Sequence, residues 1–190
     1  MKITGSRVAL ALALVLGVAG PMALSPAAAQ KGEKKPPQRV WKLSKQFRLA
    51  FVAADAAVKA NAADALAKVQ AAEALAKEAD EKYIASSLRL NLGQATKDSK
   101  LQYDGVVGMV DSGAAADADA PKLNFAAGQL AYQASNFEAA KRYIGEAIRL
   151  GIEDANARLL VAEANFKTNT TAEGLNALRA AIDAETAAGR

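Results

Sequence analysis

The feature that most constrains the fold is a stretch in which small and large apolar residues recur at helical spacing. It covers residues 127–151, AGQLAYQASNFEAAKRYIGEAIRLG, and the polar step Ser135-Asn136 divides it into two halves. Small residues lie where two helices would cross, and large residues lie where they would interlock. A related pattern returns about 34 residues later, a spacing typical of stacked helix hairpins. The stretch therefore predicts an array of paired helices.

The composition favours helices over strands. About half of the 190 residues are apolar (52%), and many of these are alanine, the best helix former. Aromatic residues make up only 5% of the chain, and runs of β-branched residues are few. We predict an all-α fold.

The chain contains neither cysteine nor histidine. This excludes disulfides, Cys/His zinc sites and catalysis by Ser-His or Cys-His pairs. Asp111, Asp117 and Asp119 could suggest a calcium loop, but the turn glycine and closing glutamate of such loops are missing, which favours a polar loop without metal. We predict a chain that is not an enzyme and binds no cofactor or metal, and catalysis by carboxylates alone is the disfavoured alternative.

The N-terminus has the pattern of a secretory signal. Lys2 and Arg7 precede an apolar run at residues 8–18, and three alanines at 27–29 precede Gln30. A membrane anchor is the alternative, but the run is shorter than the roughly 20 residues of a spanning helix. We predict a signal peptide at residues 1–29, cleaved after about Ala29, and a protein exported to the periplasm or cell envelope.

A basic arm follows the predicted signal. Residues 31–48 hold seven bases against Glu33 alone, whereas the remainder of the mature chain is acidic. Residues 30–40, with Pro36 and Pro37, are predicted to be a disordered basic linker. The arm could contact an anionic membrane surface weakly, although a solvated tether is favoured. The predicted export and the acidic body argue against a nucleic-acid partner.

We predict four helix pairs, two within residues 41–113 and two within residues 121–190. Gly113 and Gly151 are expected to end helices. Gly105 and Gly108 either let a neighbouring helix approach closely or mark the least stable helix, since glycine costs about 1 kcal/mol relative to alanine. Residues that can begin helices are Asp80, Asp98, Pro121, Asn136, Asp154, and Thr170 or Thr171.

Apolar residues at helical spacing predict the buried face of each helix. On the second helix this face includes Leu66 and Val69. On the last helix it comprises Leu175, Leu178 and Ile182. Three interpretations of that last face are open. It packs fully on the preceding helix, it binds a second copy of the chain, or it is covered by a further helix in a longer parent protein.

The pattern in residues 121–154 resembles the tetratricopeptide repeat family. The residues that carry the resemblance are Gly128, Tyr132, Asn136, Phe137, Ala140, Ile144 and Ala147. A second unit matches through Ala162, Phe166, Gly174, Leu178 and Ala181, although Thr171 replaces an aromatic residue. Residues 41–113 match only weakly. The resemblance implies a right-handed α-solenoid of about four antiparallel helix hairpins.

The family resemblance also implies a concave groove lined by the first helix of each pair. Its residues would be Lys122, Phe125, Gln129, Tyr132 and Gln133 on one helix, and Asn156, Leu159, Glu163, Phe166 and Lys167 on the next. The two aromatic rings could instead pack between adjacent hairpins, which is favoured for Phe166. The expected function is a scaffold that binds a peptide or helix of a cell-envelope protein. The alternative is a structural or assembly factor that oligomerises through its last helix.

Overall fold

The structure, a computed structural model, describes residues 39–189, and all regular secondary structure in this range is α-helical. The prediction of an all-α chain is confirmed for these residues. The predicted signal peptide and residues 30–38 of the predicted linker lie outside the described range. No helix in that range combines the length and apolar character of a membrane span. The helices of residues 39–189 are α1 (Lys45–Lys59), α2 (Ala65–Leu75), α3 (Ala79–Thr96), α4 (Ser99–Asp111), α5 (Ala120–Gln133), α6 (Phe137–Arg149), α7 (Ala155–Lys167) and α8 (Thr171–Ala187).

Three predicted capping residues begin helices as expected. Asp98, Asn136 and Asp154 precede α4, α6 and α7, and each side chain accepts a hydrogen bond from a first-turn backbone N–H at 2.9 to 3.2 Å. These N–H groups have no partner within the helix, so a side-chain acceptor stabilises the helix start. Pro121 lies in the first turn of α5, where its missing N–H costs nothing.

The predicted cap at Asp80 is wrong. Glu78 holds the capping position of α3, and Asp80 lies within the first turn. Its carboxylate accepts hydrogen bonds from Arg39 and from the backbone N–H of Lys42 instead. Acidic residues are favourable throughout the first turn, where the helix dipole is positive, so the sequence alone did not separate the two positions.

The four turns within helix pairs share one geometry. Each contains a non-glycine residue in the left-handed region, with φ between 48° and 59°, and the following N–H bonds to a carbonyl five residues earlier at 2.8 to 2.9 Å. This is the Schellman motif. The left-handed residues, 36, 38 and 34 residues apart, are Asn61, Lys97, Ser135 and Asn169. The two N-terminal pairs thus repeat the local structure of the C-terminal pairs despite their weaker sequence pattern.

The helices pack mainly on their neighbours along the chain. Every consecutive pair from α1 to α8 is in contact, and α1 also touches α3 while α5 touches α7. A core cluster between α5, α6 and α7 is built from alanine and isoleucine, with larger apolar residues packed around it. Small residues at the centre of the cluster let the helices approach closely.

Glycine marks the closest helix crossings. A Cβ on Gly105 of α4 would lie 2.5 Å from the backbone nitrogen of Leu90 on α3, and a Cβ on Gly93 would lie 2.6 Å from the backbone nitrogen of Gln102. Of the two interpretations offered for Gly105 and Gly108, close approach is therefore the one the structure supports. Gly113 and Gly151 follow α4 and α6 with positive φ, as predicted.

Two predictions about buried faces differ from the structure. Leu66 was expected inside, but it is exposed on α2, whose buried residues are Ala65, Val69 and Ala72. On α8, Leu175 and Ile182 are more than half exposed. The interpretation in which this face packs fully on α7 is therefore wrong. The face of α8 stays open because α8 contacts only α7 within the described residues. By contrast, α2 contacts both α1 and α3, and the residues it buries do not include Leu66.

Candidate interaction groove

The predicted groove residues of α5 lie along one side of that helix, because they recur every three or four positions. Lys122 and Gln133 are exposed, Gln129 is half-buried, and Phe125 is partly buried against the core cluster. Since Lys122 and Gln133 are 11 residues apart, the row is about 16 Å long. The opposite side of α5 is buried, so this row is the part of the helix that a partner could reach.

The predicted groove residues of α7 also recur at helical spacing. Leu159, Glu163 and Lys167 are exposed, as is Asn156 at the start of the helix. Between them and the core lie the buried alanines of α7, at positions 157, 162 and 164. The exposed row again covers 11 residues and about 16 Å.

The two rows meet at Tyr132 and Glu163. The phenol O–H of Tyr132 donates to Oε2 of Glu163 at 2.5 Å. This hydrogen bond, together with partial burial and the carboxylate charge, raises the pKa of Tyr132 to about 12. The ring also contacts Phe137 edge to face, with centroids 5.4 Å apart. Tyr132 is thereby held in one orientation by α6 on one side and α7 on the other.

Phe166 lies against α8 within its own helix pair. A Cβ on Gly174 would lie 2.7 Å from Cε1 of the Phe166 ring, so the absence of a side chain at Gly174 leaves room for the ring. The residue is nevertheless 40% exposed. The contact that the structure shows for the Phe166 ring is therefore within its own helix pair, whereas the favoured interpretation placed the ring between adjacent hairpins.

Sequence reasoning assigned no role to a polar network at the start of the described chain. Arg39 donates to the carboxylate of Asp80 at 2.6 Å and to the carbonyl of Ala114. Its guanidinium lies 4.0 Å from the ring centre of Trp41, and that ring stacks on Tyr83 at 5.3 Å. These contacts hold the segment before α1 against α3. They begin at Arg39, two residues before residue 41, where the predicted helical region starts.

The same network contains a buried carboxylate, Glu81, whose residue is 1% exposed. It accepts hydrogen bonds from the backbone N–H groups of Ser44 at 2.7 Å, Lys77 at 2.9 Å and Glu78 at 3.3 Å. These donors, above all Ser44, lower the pKa of Glu81 to about 2. Glu81 lies three residues after Glu78, which is the spacing of a capping box. This spacing is the sequence signal that could have identified Glu81.

Two clefts open in the N-terminal half. One of about 400 Å³ lies beside Glu81, between the start of α1 and the end of α2. The other, of about 270 Å³, contains Arg89, whose guanidinium bonds to both oxygens of Glu73 and lies 3.5 Å from Asp104. Because the arginine is already paired with two acids, its own charge is not free to bind a ligand.

Among residues 39–189, no group of three or more acidic, histidine or cysteine side chains is arranged to hold a metal ion. No protein-family model matches the chain, and no curated protein matches it either. The resemblance to tetratricopeptide repeats therefore stays a prediction from the residues.

Proposed function

We propose that this chain is an exported, right-handed α-solenoid of the tetratricopeptide type that binds a peptide or helix of another cell-envelope protein. The odd-numbered helices line its groove. Its proposed activity is binding and not catalysis. The chain has no histidine or cysteine, which removes Ser-His and Cys-His mechanisms.

The solenoid is supported by the regularity of the turns and contacts. Four turns of one geometry recur at 36, 38 and 34 residues, and each helix packs on the next. Contacts between α1 and α3 and between α5 and α7 are those expected when the first helices of successive hairpins lie side by side, whereas α3 and α5 are not in contact.

The observation that carries the groove is the hydrogen bond between Tyr132 and Glu163. It joins the two rows of residues that the repeat pattern assigns to one concave face. A tyrosine fixed at both its ring and its hydroxyl offers a rigid apolar surface, and rigid aromatic residues are favoured at the centres of binding sites.

The chemistry of the rows favours a partner with an extended backbone or a carboxylate. Gln129 and Gln133 can both donate to and accept from a peptide backbone, while Lys122 and Lys167 add positive charge near the two ends. A row of about 16 Å matches roughly five residues of extended peptide.

The cell-envelope location is proposed from the signal-like N-terminus. It predicts a mature chain that begins at Gln30, which N-terminal sequencing of protein recovered from the envelope fraction would test. Of the basic arm, Arg39 is already paired with Asp80, so any weak contact with an anionic membrane surface would come from the other bases. We propose no nucleic-acid partner.

Site-specific photocrosslinking tests the groove. A photoreactive amino acid at Gln133 or at Asn156 should crosslink a partner in the envelope fraction, whereas the same residue at Arg149, exposed on α6, should not. Tyr132→Ala and Lys167→Glu should abolish the Gln133 crosslink without loss of helical circular dichroism. Lys82→Glu, an exposed lysine beside the Arg89 cleft, is the matched control and should leave it intact.

Crosslinks of equal strength from Arg149 and Gln133 would overturn the groove, because the partner would then be bound elsewhere. Crosslinks from Gln133 that survive Tyr132→Ala and Lys167→Glu would show that these side chains do not contribute to recognition.

A further inference from the structure

Two helices at opposite ends of the described chain carry exposed large apolar residues. On α1, Leu49 is 68% exposed and Val52 is 64% exposed. On α8, Leu175 is 56% exposed and Ile182 is 58% exposed. Neither helix has a neighbour on that side within residues 39–189, since α1 contacts only α2 and α3, and α8 contacts only α7.

The joint between α6 and α7 shows how such faces are covered inside the chain. Residues 150–154 connect the two helices, and a connection this short makes them antiparallel. Apolar side chains of both helices meet in the core cluster. They are Ile144 and Ile148 from α6, with Ala157, Leu160, Val161 and Ala164 from α7.

The shared turn geometry gives the register in which α1 corresponds to α7 and α8 corresponds to α6. In the turn after α1, the carbonyl of Ala57 accepts from the N–H of Ala62. In the turn after α7, the carbonyl of Asn165 accepts from the N–H of Thr170. These two carbonyls are equivalent, so each residue of α1 corresponds to the residue of α7 that lies 108 positions later. The turn before α6 has its equivalent carbonyl at Ala131, so each residue of α8 corresponds to the residue of α6 that lies 34 positions earlier.

This register places three of the four exposed residues, all except Leu175, at positions that form the internal joint. Ile182 of α8 corresponds to Ile148 of α6, and Leu178 corresponds to Ile144. On α1, the counterparts of Ala157, Leu160, Val161 and Ala164 are Leu49, Val52, Ala53 and Ala56. Thus α8 has apolar residues at the positions through which α6 contacts α7, and α1 has apolar residues at the positions through which α7 contacts α6.

The charges of the two helices are complementary. On α1, Lys45, Arg48 and Lys59 outnumber Asp55. On α8, three acids, at positions 173, 183 and 185, outnumber the single base at 179. In an antiparallel joint the basic start of α1 would lie beside the acidic end of α8. Positive charge is unfavourable at the N-terminus of α1, and negative charge is unfavourable at the C-terminus of α8, because of the helix dipoles. Each end would be stabilised by the opposite charge on the other helix.

We propose that α8 of one copy packs on α1 of a second copy, head to tail, in the relation that α6 has to α7. The two surfaces differ, so the contact does not close on itself by two-fold symmetry and can be repeated along an open chain of copies. This inference rests on the pairing of the helices and not on the groove, so it can fail while the groove stands.

Sedimentation velocity of the purified full chain tests the proposal. The weight-average mass should rise above that of the monomer between about 1 and about 500 µM, as mass action requires. Leu49→Asp and Ile182→Asp should each abolish the rise, and because both residues are largely exposed, helicity should be kept. Leu49→Ser serves as a second variant if Leu49→Asp loses helicity. Leu66→Asp, at an exposed leucine on α2 outside both faces, is the matched control and should associate like the wild type.

Mixing the two variants separates this contact from a symmetric one. Leu49→Asp retains an intact α8 face and Ile182→Asp retains an intact α1 face, so the mixture should form one-to-one dimers and nothing larger. Arg48→Glu should weaken association by about two- to fivefold, and Asp183→Lys in the same chain should restore it in part.

A wild-type chain that stays monomeric over the whole range would overturn the proposal. So would association of Leu49→Asp alone, which would indicate contact between two α8 faces, or a mixture of the two variants that remains monomeric.

Discussion

In both the α3–α4 pair and the α5–α6 pair, a glycine on one helix faces a large residue on the other. The two pairs differ in which helix carries the glycine. In the first pair, Leu90 lies on the leading helix and faces Gly105 on the second. In the other, Gly128 lies on the leading helix and faces Ile144 on the second. Both leading residues lie three positions before the carbonyl that accepts the turn hydrogen bond. The crossing therefore depends on the combined volume of the two residues and not on which helix supplies the small one.

The two halves also differ in the polar groups that they bury. In the N-terminal half the buried charge of Glu81 ties together backbone N–H groups from before α1 and before α3. In the C-terminal half the buried polar residues are amides, Asn124 and Asn165, and each donates to a carbonyl four residues earlier in the chain. The first half is therefore the more sensitive to pH.

The largest effect should come from filling the α3–α4 crossing. Gly105→Ala places a methyl group 2.5 Å from the backbone of Leu90, so the two helices must separate. We expect a loss of about 3 kcal/mol in the free energy of unfolding, measured by urea denaturation. Gly128→Ala meets mainly the side chain of Ile144, which can adjust in part, and should cost about 1 to 2 kcal/mol.

Gly145→Ala is the matched control for both changes. It lies on α6 with nothing within 4 Å of the added Cβ, so it should stabilise the helix by about 0.5 to 1 kcal/mol. Equal losses for Gly105→Ala and Gly145→Ala would contradict the close crossing.

The next effect concerns the buried carboxylate. Glu81→Gln replaces an acceptor of three backbone N–H groups by an amide that can accept through only one atom, and should cost about 2 kcal/mol at pH 7. The pKa of Glu81 is about 2 in the folded chain against an ordinary 4.5. The unfolded chain thus takes up the proton first as the pH falls, so the stabilisation is complete above pH 4.5 and is lost toward pH 2.

Urea denaturation at pH 7 and pH 3 measures this dependence. Glu81→Gln should remove much of the loss of stability seen in the wild type at low pH, whereas Glu173→Gln on exposed α8 should not. Hydrogen exchange at pH 3 should show α1 and α3 opening before α5 and α6. A wild type and a Glu81→Gln variant with the same acid dependence would contradict this role.

The sequence predicted the helices well because their signals are local. Caps at Asp98, Asn136 and Asp154, the proline at 121 and the glycines at 113 and 151 each act within one turn, and the structure confirms them. Helical spacing likewise identified Val69 on the buried face of α2.

What the sequence could not supply depends on contacts between distant segments. The partner of Glu81 is Ser44, 37 residues away, and that of Asp80 is Arg39, 41 residues away. Leu66 has helical spacing, but the residues that α2 buries are Ala65, Val69 and Ala72, and this choice depends on how α2 lies against α1 and α3. In the groove, the two rows follow from spacing, whereas the hydrogen bond of Tyr132 to Glu163 requires the relative placement of α5 and α7, which only the fold gives.

A smaller effect is expected at the turn between α7 and α8. Asn165 accepts a hydrogen bond from the hydroxyl of Thr170 at 2.7 Å and donates to the carbonyl of Val161 at 2.9 Å. Asn165→Ala should cost about 1 kcal/mol, because the hydroxyl keeps another acceptor in the backbone carbonyl of residue 165. Asn156→Ala, on the exposed row of the same helix, should leave the urea midpoint nearly unchanged. Equal effects of the two substitutions would contradict a structural role for the buried amide.

The smallest effect on stability, and the most specific to the groove, should come from Tyr132→Phe. Removing one partly exposed hydrogen bond should cost about 0.5 kcal/mol at pH 7, since Phe137 still holds the ring. The hydrogen bond also raises the pKa of Tyr132 to about 12 from an ordinary 10. Its stabilisation is therefore present below pH 10 and is lost as the pH rises toward 12. Ultraviolet titration of the phenols should show one tyrosine moving to lower pKa in Glu163→Gln, because the amide no longer presents a negative charge to the phenol. If the titration curve is the same in both proteins, α5 and α7 are not joined through this pair, and the two rows of the groove lose the contact that brings them together.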